Sequence, residues 1–200
     1  MEGRVGADHP PAPGVTMRTL RPANRMLGAT LGAVLIAASA RGRIAGTGGA
    51  MQTKPCATAE YHQFDFFAGD WDAYDVGAPA KVAARNRVTP MLGGCALREN
   101  YEEPGGHKGE SFSTYDAGRH LWHQSWVTDD GQLLLLDGQF DGKRMVLTAT
   151  ETLANGTRRL VRGIWYPDSG GVRETADRST DGGKTWTPWF DIIFRPHRHP

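Results

Sequence analysis

Glu99, Tyr115, Gln124 and Arg162 are the residues of this chain whose types and settings point to chemistry, because each interrupts an apolar alternation. Side chains of a strand point alternately to its two faces. Leu97, Glu99 and Tyr101 then share a face opposite Arg98 and Asn100, and Trp122, Gln124 and Trp126 share one opposite His123 and Ser125. Tyr115 and Ser111 join the same side from the segment between them, while Leu160, Arg162 and Ile164 place a guanidinium between two aliphatics. A buried Glu99 or Arg162 costs several kcal/mol unless it is paired or hydrogen-bonded.

Three roles fit such a set. In a binding site, Trp122, Trp126 and Trp165 wall a small apolar or amphipathic molecule, and Glu99, Tyr115, Gln124 and Arg162 orient its polar end. In an enzyme of hydrolase or isomerase type, Glu99 in an apolar pocket holds its proton more tightly than usual and serves as acid or base. In a surface-interaction module, the same four residues only fix strand register around a filled core, and aromatics such as Trp189 are exposed for a partner. No Ser-His-Asp nucleophile turn, phosphate-binding glycine loop or metal motif occurs, so no catalytic residue is assigned and no cofactor is expected. His107, His120 and His123 lie at or near turns and read as surface residues; His197 and His199 read as tail.

The elements that position these residues have a period of two. Trp71 to Val76, Lys81 to Thr89, Cys95 to Glu102, Gly109 to Tyr115 and Leu121 to Thr128 each read as a strand. So do Gln132 to Phe140, Arg144 to Glu151, Thr157 to Tyr166, Val172 to Ser179 and Thr185 to Arg195. Asp116-Ala117-Gly118, Asp129-Asp130-Gly131, Asp141-Gly142, Asn155-Gly156 and Ser169-Gly170-Gly171 are hairpin turns between them. Connections this short pair sequence neighbours in space. The expectation is an all-β, ten-stranded, antiparallel up-and-down barrel, with a two-sheet sandwich as its structural rival. Ala59 to Phe67 is expected to form a short helix plugging one end, which Trp71 also closes.

Composition splits the chain near residue 55 and leaves one folding unit. Residues 1–50 hold six of the 23 basic and two of the 22 acidic residues, so the remainder, with 17 and 20, carries a net charge of −3. That balance gives no electrostatic reason to expect nucleic acid. Arg18, Arg21 and Arg25 precede an apolar run from Met26 to Ala40 that ends in Ala38-Ser39-Ala40, the layout of a secretory signal with Met17 as a plausible start. The run is shorter than the roughly 20 residues of a membrane span. Residues 1–50 are therefore read as signal peptide and flexible leader, residues 56–196 as one barrel domain, and the protein as exported, with an uncleaved anchor as the alternative. In an oxidising compartment Cys56 and Cys95 are expected to form a disulfide rather than two buried thiols. Their isolation does not suit zinc.

One turn carries a sharper signature. Ser179-Thr180-Asp181-Gly182-Gly183-Lys184-Thr185-Trp186 fits the Ser-x-Asp-x-Gly-x-x-Trp pattern of the Asp-box hairpin, which recurs once per blade in sialidases. Here it occurs once, without a repeat of propeller length, and reads as a folding device.

Five motifs in order resemble one family: Phe64-Asp65-Phe66-Phe67-Ala68-Gly69-Asp70-Trp71, Leu92-Gly93-Gly94-Cys95-Ala96-Leu97-Arg98-Glu99-Asn100-Tyr101, Tyr115-Asp116, Trp122-His123-Gln124-Ser125-Trp126 and the Asp-box turn. Over roughly residues 60–195 the chain resembles the bacterial family catalogued as domain of unknown function 1579. The resemblance implies a calycin-type barrel with an export signal ahead of it, and no catalytic residues to carry over. Phe66 to Trp71 is similar to the opening-strand motif of lipocalins and fatty-acid-binding proteins. Strand number is also similar to that of nitrobindin-type haem barrels, but no histidine here sits on a clearly apolar strand face.

Overall fold

The computed structural model describes residues 54–198; the expected export segment at residues 17–40, the start at Met17 and His199 lie outside them. Ten strands follow one another: β1 (Gly69–Asp75), β2 (Val82–Met91), β3 (Ala96–Glu102), β4 (Lys108–Asp116), β5 (Leu121–Thr128), β6 (Leu133–Phe140), β7 (Met145–Thr152), β8 (Arg158–Asp168), β9 (Gly171–Ser179) and β10 (Thr187–Pro196). Each pairs antiparallel with the next, and β1 also pairs with β10, opposing Trp71 to Pro196 and Asp75 to Ile192. The ring is therefore closed. Closure leaves no strand edge unpaired, which a two-sheet sandwich cannot achieve. The architecture is that of a calycin-like barrel.

The turns act locally. Asp141 Oδ1 accepts the amides of Lys143 (2.9 Å) and Arg144 (2.7 Å), and Gly142 turns the chain at φ 94°. In the β9–β10 connection Asp181 accepts from the amide (3.0 Å) and hydroxyl (2.6 Å) of Thr185, and the Trp186 indole donates to the carbonyl of Gly183 (3.0 Å). The Thr185 hydroxyl and amide hold the Asp181 carboxyl down at about 2. The Asp box is thus a self-contained hairpin clamp.

One end of the barrel is plugged. Instead of one helix, the plug is two 3-10 turns, Ala59–His62 and Asp65–Phe67, separated by Gln63 and Phe64. Phe64 and Phe67 are fully buried; Phe64 meets Trp122 and Trp165 edge-on, and Phe67 packs on Phe194. The Trp71 indole donates to the Phe67 carbonyl (2.9 Å), joining plug to wall. A Cys56–Cys95 disulfide ties the segment ahead of the plug to the β2–β3 connection. Met145, Leu147 and Val172 complete this packed half of the interior.

Candidate functional site

The other half of the barrel is hollow. A cavity of about 320 Å³ lies between Trp165 and Phe194 at its floor and a mouth formed by Glu103, His107, Thr128, Gln132, Trp189 and Phe190. Its walls are Trp126, Leu134, Leu136, Val161, Ala176 and Ile192. The interior of the described barrel is therefore not packed throughout.

Two local features open the space. The pairing of β10 with β9 shifts register between Pro188 and Phe190, and the extra residue is Trp189. A bulge breaks the two-residue period. Consecutive residues Trp189 and Phe190 therefore both reach the cavity, which a regular strand would forbid. On β8, Gly163 lines the cavity next to Trp165, and a methyl group at Gly163 would collide with the six-membered ring of that tryptophan. The absent side chain lets the indole lie back along its own strand.

Polar groups enter this apolar space in an ordered chain. Glu99 on β3 is 6 % exposed and accepts hydrogen bonds from Asn86 Nδ2 (2.9 Å) and Ser111 Oγ (2.8 Å). Gln124 Nε2 on β5 donates to Ser111 Oγ (3.3 Å) and Ser113 Oγ (3.1 Å), so donation runs one way, from Gln124 through Ser111 to Glu99. Burial raises the proton affinity of Glu99 against the opposing pull of the Ser111 and Asn86 hydrogen bonds. Tyr101, two residues on, meets Trp126 edge-on at 6.0 Å, and burial raises its proton affinity too.

A second carboxyl faces Glu99 from β9. Glu174 lines the same cavity, and burial first, then the charge of Glu99, push its proton affinity well above the usual glutamate range. Part of its surface touches the cavity space, yet protein encloses it, and the enclosure governs its ionisation. The Trp165 indole N–H points toward Glu174 and favours its anion, but falls short of hydrogen-bond geometry and remains a buried donor without a partner. Among the described residues, no group of three or more His, Cys, Asp or Glu side chains could hold a metal ion.

The expected site residues divide among three places. Glu99, Gln124, Trp126 and Trp165 line the cavity together. Trp122 and Tyr115 belong to the plugged end: the Trp122 indole donates to Gln63 Oε1 (3.1 Å), and Tyr115 packs edge-on against Tyr61 at 5.4 Å. Arg162 is outside the barrel, bonded to Asp177 (2.7 Å) and stacked on Trp186 at 4.1 Å. The reason is parity. Val161, Gly163 and Trp165 take the inner face of β8, so Arg162, Leu160 and Ile164 must take the outer one. Arg162 and Trp165, three residues apart, could not have shared a face.

Glu174 escaped the reading of the sequence although the signal was there: Val172, Glu174 and Ala176 alternate against Arg173, Thr175 and Asp177, the same pattern of one acid among apolar residues that singles out Glu99. His107 and His123 hold Asp129 (2.6 Å) and Asp137 (2.7 Å) at the surface, although His107 also borders the mouth. Comparison with known proteins finds no family model and no curated relative that matches this chain.

Proposed function

We propose that the barrel binds a small, mostly apolar molecule whose polar end reaches the Glu99–Gln124 network. The observation that carries this reading is the hollow half-barrel itself, in which aromatic and aliphatic walls surround a few convergent polar groups. At about 320 Å³ the space lies at the small end of ligand sites, which span roughly 300–1,000 Å³. Membership of the bacterial domain of unknown function 1579 family is part of the proposal and rests on the five ordered motifs. Export rests on the residue 17–40 pattern, and the Cys56–Cys95 disulfide supports it because such bonds persist in oxidising compartments. Among the described residues no helix is long and apolar enough to cross a membrane. Neither nucleic acid nor a cofactor enters the proposal.

Native mass spectrometry of the protein purified from its exported form, with extraction of anything bound, tests it. A stoichiometric small molecule that Trp126→Ala displaces is the expected result. A barrel that arrives empty and takes up no neutral apolar dye such as phenylnaphthylamine would overturn it. A second reading, acid–base catalysis by Glu99, has the raised proton affinity of that carboxyl in its favour. It expects turnover in a hydrolase and isomerase screen that Glu99→Gln abolishes; equal turnover in both proteins removes it.

A further inference from the structure

We propose that the polar end of the ligand is a protonated amine, seated between the carboxylates of Glu99 and Glu174 and walled by Trp126 and Trp165. The inference rests on the binding reading above and names the class of molecule that the cavity takes.

Charge is the first reason. The cavity is lined by Glu99 and Glu174 at depth and Glu103 at the mouth, and by no Lys or Arg among the described residues. Its one basic side chain, His107, is held at the rim by Asp129 (2.6 Å). Arg159 and Arg178 lie outside that lining: Arg159 pairs with Glu151 (2.6 Å) on β7, and Arg178 stacks over Trp189 at 3.3 Å with its buried Nε lacking a hydrogen-bond partner. Glu99 meets only an amide and a hydroxyl, so the protein supplies no cation to either deep carboxyl. Two enclosed acids without a counter-charge are a standing cost to the fold. A cation delivered from outside removes that cost.

The walls are the second reason. Tyr101, Trp126 and Trp165 line the same space as the two deep acids, and aromatic rings attract an ammonium group in a water-poor site. The third is the Trp165 indole, 4 % exposed, whose N–H is aimed at Glu174 without reaching hydrogen-bond geometry. That donor suits an ionised Glu174. With the cavity empty, burial and mutual charge favour a proton on the pair; an ammonium of one positive charge takes the place of that proton and leaves Glu174 an anion, the form that the indole favours. No bond to carbon is made or broken, and the displaced proton passes to solvent.

The test uses the full chain and a matched series: phenethylamine as its ammonium, phenethyl alcohol as the neutral isostere, and phenylacetate as the anion, each competing against phenylnaphthylamine. The ammonium is expected to bind about tenfold or more tighter than the alcohol near neutral pH, with phenylacetate weakest. Its affinity rises with pH, by about tenfold per pH unit where one proton leaves the pair, while that of the alcohol stays flat. Calorimetry in two buffers of different ionisation enthalpy should count about one proton released per ammonium bound. Glu174→Gln and Glu99→Gln should each reduce the preference; if either variant fails to fold, the proton count on the natural protein still decides. Alcohol and dye binding with no preference for the ammonium would overturn the amine and leave the binding reading intact. Failure of the dye and all three compounds would remove both.

Discussion

Glu99 on β3 and Glu174 on β9 face one cavity across a barrel in which β10, β1 and β2 separate their strands, and the charge of Glu99 strengthens the hold of Glu174 on its proton. Neither side chain does this alone. Glu99 has two donors on its oxygens that oppose the effect of burial, whereas Glu174 has only the pull of the Trp165 indole against burial and the charge of Glu99. Two acids of raised proton affinity in one largely apolar space are the feature that most distinguishes this interior from a packed one.

That pair sets a pH dependence of stability. A carboxyl whose proton affinity is raised by folding contributes stability below its ordinary value of 4.5, and loses it as pH climbs through the raised one. Melting temperature of the unliganded protein is therefore expected to fall from mildly acid toward alkaline pH. Glu174→Gln should raise it by a few degrees at neutral pH, since about 1 kcal/mol is worth about 2–4 °C in a chain of this size. The gain should vanish below the ordinary glutamate value. Thermal melts of both proteins across that range check it, and a gain that persists in acid would refute the electrostatic cause.

Gly163→Ala introduces a methyl group against the Trp165 ring and must push that ring into the cavity. Overpacking of this kind costs about 1–3 kcal/mol. Binding of the apolar dye should weaken more than stability does, because the ring has empty space to move into. Dye titration beside a melt separates the two effects; an unchanged affinity would mean that the floor of the cavity does not touch the dye.

Arg162→Ala and Gln124→Leu are expected to behave oppositely. The first removes an outer ion pair with Asp177 and a stack on Trp186, together worth about 1 kcal/mol, and leaves ligand affinity unchanged. The second removes a cavity donor that feeds Ser111 and Glu99, and weakens ligand binding. A loss of affinity in Arg162→Ala would contradict its outward placement.

Replacing both Cys56 and Cys95 by Ser opens a loop with a sequence separation of 39. Chain entropy puts the loss at about 3 to 4 kcal/mol, or about 10 °C in Tm. Because the bridge tethers the plug, dye uptake at the far mouth should survive in the fraction that stays folded. Reduction of the natural protein followed by calorimetry provides the same comparison without mutation.

Asp181→Ala removes the acceptor that organises the β9–β10 hairpin. A carboxyl lowered to about 2 contributes stability above its ordinary value of 3.8 and loses it as pH falls toward about 2. The variant should melt earlier at neutral pH and show a smaller further loss on acidification. Circular dichroism melts at neutral and acid pH read both.

Much of this architecture is legible in the chain as text. Strand parity and turn chemistry are local, so the ten strands, the Asp-box clamp and the inward placement of Glu99, Gln124, Trp126 and Trp165 follow from residues two to eight apart. Parity also held the answer for Arg162, since inner and outer residues of β8 alternate and Trp165 is on the inner set. The tertiary structure decided the rest. Which half of the barrel is filled depends on where Phe64 and Phe67 settle after the chain closes, and that moved Trp122 and Tyr115 from binding wall to plug. The bulge at Trp189 aims two adjacent aromatics inward against the local period. The meeting of Glu99 with Glu174, with five strands between theirs in sequence, needs β1 to pair with β10. Local alternation places each acid on an inner face, but only ring closure makes those two faces the opposite walls of one enclosed, weakly solvated space, where each charge is felt by the other.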